Sequence, residues 1–199
     1  MDNISFAILS GGKSSRMGMN KAFLEIQGKS IIEIIIDIAY EFSQIMIITN
    51  EPNLYYKFGV EVYSDIFPHR GPISGIHSAL HNTKFDNVFI LSCDMPFISK
   101  STINKIIAQH NNSQITLPFV TERTYFTCGV YSKGILERLD DYLTEGVKLP
   151  SLKNRYFALY NFEKMFQINK IPIDNIDIRL TEFINLNTLE EWNKAKSKY

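Results

Sequence analysis

An apolar run, Ile4 to Leu9, stops abruptly at a loop of small residues and cations that reads Ser10-Gly11-Gly12-Lys13-Ser14-Ser15-Arg16-Met17-Gly18-Met19-Asn20-Lys21. A run this short and this uniformly apolar predicts a strand buried on both faces, the usual first strand of a parallel sheet. Gly11 and Gly12 carry no side chain, so backbone N–H groups there can face a bound phosphate at close range. Lys13, Arg16 and Lys21 add positive charge where a polyphosphate needs neutralising. A strand leading into such a loop predicts a nucleotide site.

Two common phosphate motifs are excluded. Gly12-Lys13-Ser14 looks like the end of a Walker A loop, but that motif needs a glycine five residues before its last glycine, and position 7 is Ala. Gly28-Lys29-Ser30 fails in the same way, with Phe23 at that place. The first turn carries no G-x-G-x-x-G either, so the dinucleotide fingerprint is absent. The stretch from Leu9 to Lys21 instead resembles L-(A/S)-G-G-x-S-x-R-M-G-x-D-K, the loop of sugar-nucleotide-type nucleotidyltransferases, and is most similar to the molybdenum cofactor guanylyltransferase family. One position departs from the pattern: the acid before the lysine is Asn20.

Length and charge bound the rest. The chain has 199 residues, enough for one domain with a sizeable core, and no repeat, low-complexity segment or linker divides it. We read residues 1–199 as a single domain, with 1–100 as a nucleotide-binding half and 101–199 as an acceptor-binding half. With 21 basic and 21 acidic side chains the formal net charge is +0, which argues against a nucleic-acid-binding face. Cys93 and Cys128 form no C-x-x-C pair, so they are expected as free thiols in a reducing cytoplasm. Met1-Asp2-Asn3 lacks a basic leader, and the apolar cluster from Ile31 to Ile38 is interrupted by Glu33 and Asp37. The expectation is a cytoplasmic protein that does not engage a membrane.

In chain order, Ala22 to Ile26 reads as extended and ends at the turn Gln27-Gly28. Ser30 with Glu33 forms a capping box for a helix running to about Phe42, whose acids Glu33, Asp37 and Glu41 read as its solvated face. Strands are predicted over Ile45–Thr49 and Val60–Tyr63, delivering Asn50 and Asp65, with a short helix or turn at Pro52 to Phe58. Gly71-Pro72-Ile73-Ser74-Gly75 opens a helix with proline in its first turn. His77 and His81 on it have metal-pair spacing, but no glutamate lies between them, and they are read as structural. A fourth, central strand, Asn87 to Leu91, delivers Cys93-Asp94-Met95-Pro96. A carboxylate at that place is where α/β transferases hold Mg²⁺. Ser99 caps a helix over Ser101–His110. Gln114–Phe119 and Tyr125–Tyr131 read as strands joined at Glu122-Arg123, and Lys133 to Tyr142 as an amphipathic helix. Thr188 caps a last helix from Leu189 to Lys196.

These units predict an α/β fold, a single-domain, three-layer Rossmann-like nucleotidyltransferase fold with a mainly parallel central sheet. Gly11, Asn50, Asp65 and Asp94 then fall at one end of the sheet. The resemblance implies more. G-P-(L/I)-x-G matches Gly71 to Gly75, C-D-x-P matches Cys93 to Pro96, and N-(I/L)-N-T-x-E-(E/D) matches Asn185 to Glu191. It implies transfer of GMP from GTP to molybdenum-molybdopterin with release of pyrophosphate. It assigns nucleotide binding to Leu9, Ser10, Gly11, Gly12, Lys21, Asn50, Asp65, Gly75 and Asp94, and catalysis to Arg16, Lys21 and Asp94. Asp94 would hold Mg²⁺, and Asn185 and Asn187 would face the acceptor. Lys148, Lys153 and Arg155 are further candidates for anion contacts. Other molybdenum cofactor biosynthesis proteins and molybdoenzyme chaperones are implied as partners. The family's histidine and proline near Tyr125 are missing, since this stretch reads Arg123-Thr124-Tyr125-Phe126-Thr127-Cys128-Gly129. Two other readings stay open: a CTP-dependent transferase acting on molybdopterin or on a sugar or polyol phosphate, and a non-catalytic partner in molybdoenzyme maturation.

Overall fold

Strand β1 (Ile4–Leu9) is buried at every position, as its unbroken apolar run requires. The computed structural model describes residues 3–11, 20–147, 156–173, 180–186, 188 and 190–193. After the loop, Lys21–Phe23 forms a single 3₁₀ turn, where extended chain was expected. Its cause is local: the Asn20 side chain accepts from the Ala22 N–H and caps the turn. A two-residue hairpin follows, β2 (Glu25–Ile26) and β3 (Lys29–Ser30), with Gln27 and Gly28 both at positive φ. That is the turn geometry which matches strand twist.

The predicted capping box opens α1 (Ile31–Ala39). The helix ends three residues short of Phe42, because the Phe42 ring turns inward and packs 4.9 Å from Phe6. Strands β4 (Gln44–Ile48) and β5 (Glu61–Tyr63), helix α2 (Pro72–Asn82) and strand β6 (Asn87–Ser92) lie where the pattern put them, within a residue or two. Ser99 caps α3 (Lys100–Ala108) through the Thr102 N–H. The second half departs further from expectation. β7 (Ile115–Val120) turns at Thr121-Glu122 into β8 (Arg123–Thr124), and β9 (Cys128–Ser132) starts only at Cys128. Tyr125 to Thr127 form a loop, held by Tyr125 N–H to Pro118 C=O (3.1 Å) and Cys128 N–H to Tyr125 C=O (3.2 Å). Helix α4 (Leu136–Val147) and strand β10 (Ile168–Pro172) complete the elements around the core.

The sheet order is β10-β7-β9-β6-β1-β4-β5, with β8 on β7. β1 lies between β4 and β6 and is parallel to both, with Ile8 opposite Ile47 and Leu91. β9 is antiparallel to β6 and β7, and β10 is parallel to β7. The sheet is therefore mainly parallel, with strands from both halves of the chain in one layer. Alternate side chains divide the core. Phe6, Ile8, Phe89 and Leu91 meet Ile31, Ile35, Ile103 and Ile106 from α1 and α3. Ala7, Leu9, Val88 and Ile90 meet Ile73, Ile76, Leu139 and Leu143 from α2 and α4. Each fully buried large aliphatic or aromatic side chain here contributes roughly 1.5–3 kcal/mol. Among the described residues no helix is long and apolar enough to cross a membrane.

Gly129 fixes how closely β9 approaches β7. A Cβ there would sit 2.4 Å from the Thr116 carbonyl oxygen and 2.7 Å from Leu117 Cδ2. Gly129→Ala should lower stability by about 2 kcal/mol or more, read as a lower urea midpoint. An unchanged midpoint would mean that the two strands are not held at this distance.

Candidate active site

Parallel strands end together, so β1, β4, β5 and β6 bring their following residues to one edge. The result is a crevice of about 1120 Å³, lined there by Ser10, Gly11, Asn50, Asp65 and Asp94. Leu9, Lys21, Gly75 and Asn185 line it as well. Gly12, Arg16 and Asn187, with Lys148, Lys153 and Arg155, lie outside the described residues. The volume exceeds the roughly 300–1,000 Å³ typical of a single small-molecule pocket, which leaves room for two ligands side by side.

Backbone bonds fix the floor. The Ser10 N–H donates to Ile48 C=O (2.9 Å), and the Cys93 N–H donates to Leu9 C=O (3.0 Å). The start of the glycine loop is thereby locked between the ends of β4 and β6. At Gly11 an added Cβ would make only ordinary contact, 3.7 Å from Asn50 Nδ2. Packing thus does not demand this glycine, whereas close approach of a ligand to its backbone would. Gly75 differs. An added Cβ would come within 3.1 Å of Leu9 Cδ2, so its missing side chain seats α2 against the end of β1.

The acids sit in contrasting surroundings. Asp65 accepts from Asn50 Nδ2 at 2.9 Å. Burial pushes its carboxyl pKa up, and the Asn50 hydrogen bond opposes that rise. Asp94 ends the turn after β6, with its carbonyl accepting from the Leu186 N–H at 2.8 Å. That bond sets Asn185, the residue before Leu186, beside Asp94. Among the described residues the buried Oδ1 of Asp94 and the buried Oδ1 of Asn185 have no hydrogen-bond partner. Two bare, buried oxygens are expensive unless a cation or donor completes them. Sequence reasoning put Asn185 toward the acceptor and gave no sign that it stands next to Asp94.

No group of three or more His, Cys, Asp or Glu that could hold a metal occurs among the described residues. Mg²⁺ needs no such group, since it takes one or two protein oxygens and completes its shell with water and substrate phosphates. His77 is structural, as expected: it is buried, with Nε2 2.6 Å from Asp140 Oδ1, while His81 is exposed. Both cysteines are free. Burial pushes the Cys93 thiol up to about 11 and raises that of Cys128 further, so neither is a thiolate nucleophile.

The opposite wall is Arg123 to Thr127 with Leu159. Arg123 is exposed, and its guanidinium makes a cation–π contact over Tyr125, 5.2 Å from the ring centroid. Sequence reasoning also missed Tyr55. Its ring is wholly buried, and its hydroxyl lies 2.7 Å from Ser10 Oγ and 3.0 Å from Asn20 Nδ2. An aromatic inside a predicted turn carries no signal of that role.

Comparison with known proteins places this geometry in context. Residues 6–156 match the family model described as "MobA-like NTP transferase domain". A protein of Clostridium perfringens strain 13 named "Probable molybdenum cofactor guanylyltransferase" is 36% identical over 195 residues, covering 98% of this chain and 96% of its own. A "Molybdenum cofactor guanylyltransferase" of Desulfosudis oleivorans is 30% identical over 200 residues, covering 99% and 96%. The solved "Molybdopterin-guanine dinucleotide biosynthesis protein A" of Archaeoglobus fulgidus superposes with a TM-score of 0.80 at 20% identity, covering 100% and 98% of the two chains.

Asn50→Ala should raise the Asp65 carboxyl pKa further, because it removes the hydrogen bond that favours the charged form. A carboxyl titration followed by NMR reads this directly, and an unchanged or lowered pKa would refute the coupling. Asp65 holds its proton more tightly folded than unfolded. The stability from that preference is present below the unfolded pKa, near 4, and is lost as pH rises through the folded value.

Proposed function

The chain belongs to the MobA-like NTP transferase family, and from that premise we propose that it transfers GMP from GTP to molybdenum-molybdopterin, giving molybdopterin guanine dinucleotide. A phosphate oxygen of the acceptor attacks the α-phosphorus and forms the new P–O bond. The bond from the α-phosphorus to its bridging oxygen breaks, and pyrophosphate leaves with the electron pair. The observation that carries the reading is the bare Asp94 carboxylate oxygen set in one crevice with the Gly11 backbone and Lys21.

Each side of the crevice has its task. The Ser10–Gly11 backbone cradles the phosphates. Lys21, and Arg16 from the loop, neutralise charge that grows on the α-phosphoryl and pyrophosphate oxygens. Asp94 and Asn185 are the residues that would hold Mg²⁺, since both offer a bare oxygen. When bound there the ion supplies charge neutralisation at phosphate oxygens. Asn50, Asp65 and the Gly75 region flank the base and ribose. The Arg123–Thr127 wall serves the acceptor, with Asn187 assigned there by the resemblance, so residues up to about 100 serve the nucleotide and most later ones the acceptor, Asn185 at the ion being the exception. The work is positioning and charge, with no protein nucleophile required. We place the reaction in the cytoplasm, with the product passing to the proteins that mature molybdoenzymes. The CTP alternative loses weight because the relatives at 30–37% identity carry the guanylyltransferase name.

The test is incubation of the purified protein with molybdenum-molybdopterin, Mg²⁺ and labelled GTP or CTP. Label from GTP should appear in the dinucleotide with release of pyrophosphate. Label from CTP instead would move the assignment to the cytidylyl branch, and nucleotide binding without product would favour the non-catalytic partner. Lys21→Ala should keep its melting temperature and lose roughly a hundredfold in kcat, about 3 kcal/mol of barrier. Asp94→Ala should bind GTP equally with Mg²⁺ or with a chelator, and a retained Mg²⁺ dependence would move the ion elsewhere.

A further inference from the structure

The two ends of the glycine loop meet at a single atom. Ser10 leaves β1, Asn20 ends the loop, and both reach the hydroxyl of buried Tyr55, at 2.7 Å and 3.0 Å. The orientation of the Asn20 amide is fixed. Its Oδ1 accepts from the Ala22 N–H at 3.1 Å, so its Nδ2 is the group that faces Tyr55 and Glu51. An amide nitrogen only donates. The Tyr55 oxygen therefore accepts from Asn20, and its own proton is left to give away. Ser10 Oγ, 2.7 Å away, is in reach to take it.

We propose that Asn20, Tyr55 and Ser10 form a directed hydrogen-bond relay that turns the Ser10 hydroxyl proton toward the crevice, as a donor to a phosphate oxygen of the nucleotide. Having accepted from Tyr55, Ser10 keeps one proton to donate, and Ser10 lines the crevice. The Cys93 thiol neighbours Ser10. A thiol is a weak acceptor, which an anionic phosphate oxygen readily displaces. Asn20 and Tyr55 are positioning residues, since they act through Ser10. This gives a consequence to the one position at which the loop departs from the pattern it resembles. An acid at 20 accepts only, so it would draw the Tyr55 proton to itself. Ser10 would then donate to Tyr55 and present lone pairs to the phosphate.

The inference rests on the nucleotide reading of the crevice, and the experiment separates the two. Calorimetry gives the dissociation constant of Mg·GTP for the wild type, Asn20→Asp, Ser10→Ala and the double variant. Melting temperatures are read beside it, and guanosine serves as a ligand without phosphates. Ser10→Ala should weaken Mg·GTP by about tenfold, the usual scale for a hydrogen bond to a charged group, and leave guanosine alone. Asn20→Asp adds a negative charge as well as reversing the relay. It should weaken Mg·GTP several-fold more with Ser10 present than with Ala at 10, where only the charge effect remains. In a Tyr55→Phe background that difference should vanish, because nothing then connects the two residues. Equal effects of Asn20→Asp with and without Ser10 would overturn the relay while leaving the nucleotide site intact. A wild type that does not bind Mg·GTP would overturn both.

Discussion

The parallel register of β1 between β4 and β6 is the constraint on which the crevice depends. Ladder bonds hold Ile8 opposite Ile47 and Leu91, and the pairing continues past the strands through Ser10 N–H to Ile48 C=O and Cys93 N–H to Leu9 C=O. A slip of one residue would exchange the two faces of β1 and send Phe6 and Ile8 to the wrong layer. Hydrophobic layering and site assembly are therefore one requirement. The same pairing that buries Phe6 under α1 brings Gly11 beside Asp94.

Local satisfaction is given up at the crevice and made good elsewhere. Most buried polar groups have partners: Ser5 reaches Gln44 and Thr83, and Thr102 reaches Glu182. Asp94 Oδ1 and Asn185 Oδ1 do not, among the described residues. Such exceptions are tolerable where a ligand supplies the missing interaction and the surrounding core is well packed. Here the support is dense, with fully buried Ile, Phe and Leu on both faces of the strands that carry the site.

Features with a local cause were legible in the sequence. The apolar run of β1, the Ser30–Glu33 box, Pro72 in the first turn of α2 and the Ser99 cap each act over three or four residues, and each appears as read. Features with a distant cause were not. α1 stops early because Phe42 finds Phe6, which lies in another element. The turn expected at Glu122-Arg123 falls one residue earlier, at Thr121-Glu122, where two ordinary residues take positive φ without a glycine or asparagine to mark the position. Tyr125 to Thr127 look like strand by composition, yet two backbone bonds hold them as a loop on the crevice wall.

By itself the sequence determined the layered α/β plan, the ends of the parallel strands β1, β4, β5 and β6 to within a residue, and the chemical kinds of group brought to them, because hydrophobic period and capping chemistry are short-range properties. Tertiary structure alone decided which of those groups touch. Asn185 stands beside Asp94 through one backbone hydrogen bond from Leu186, some ninety positions along the chain. Tyr55 joins the two ends of the glycine loop because burial of its ring leaves its hydroxyl nowhere else to go. Contacts of that kind depend on the three-dimensional return of the chain, which no local pattern encodes.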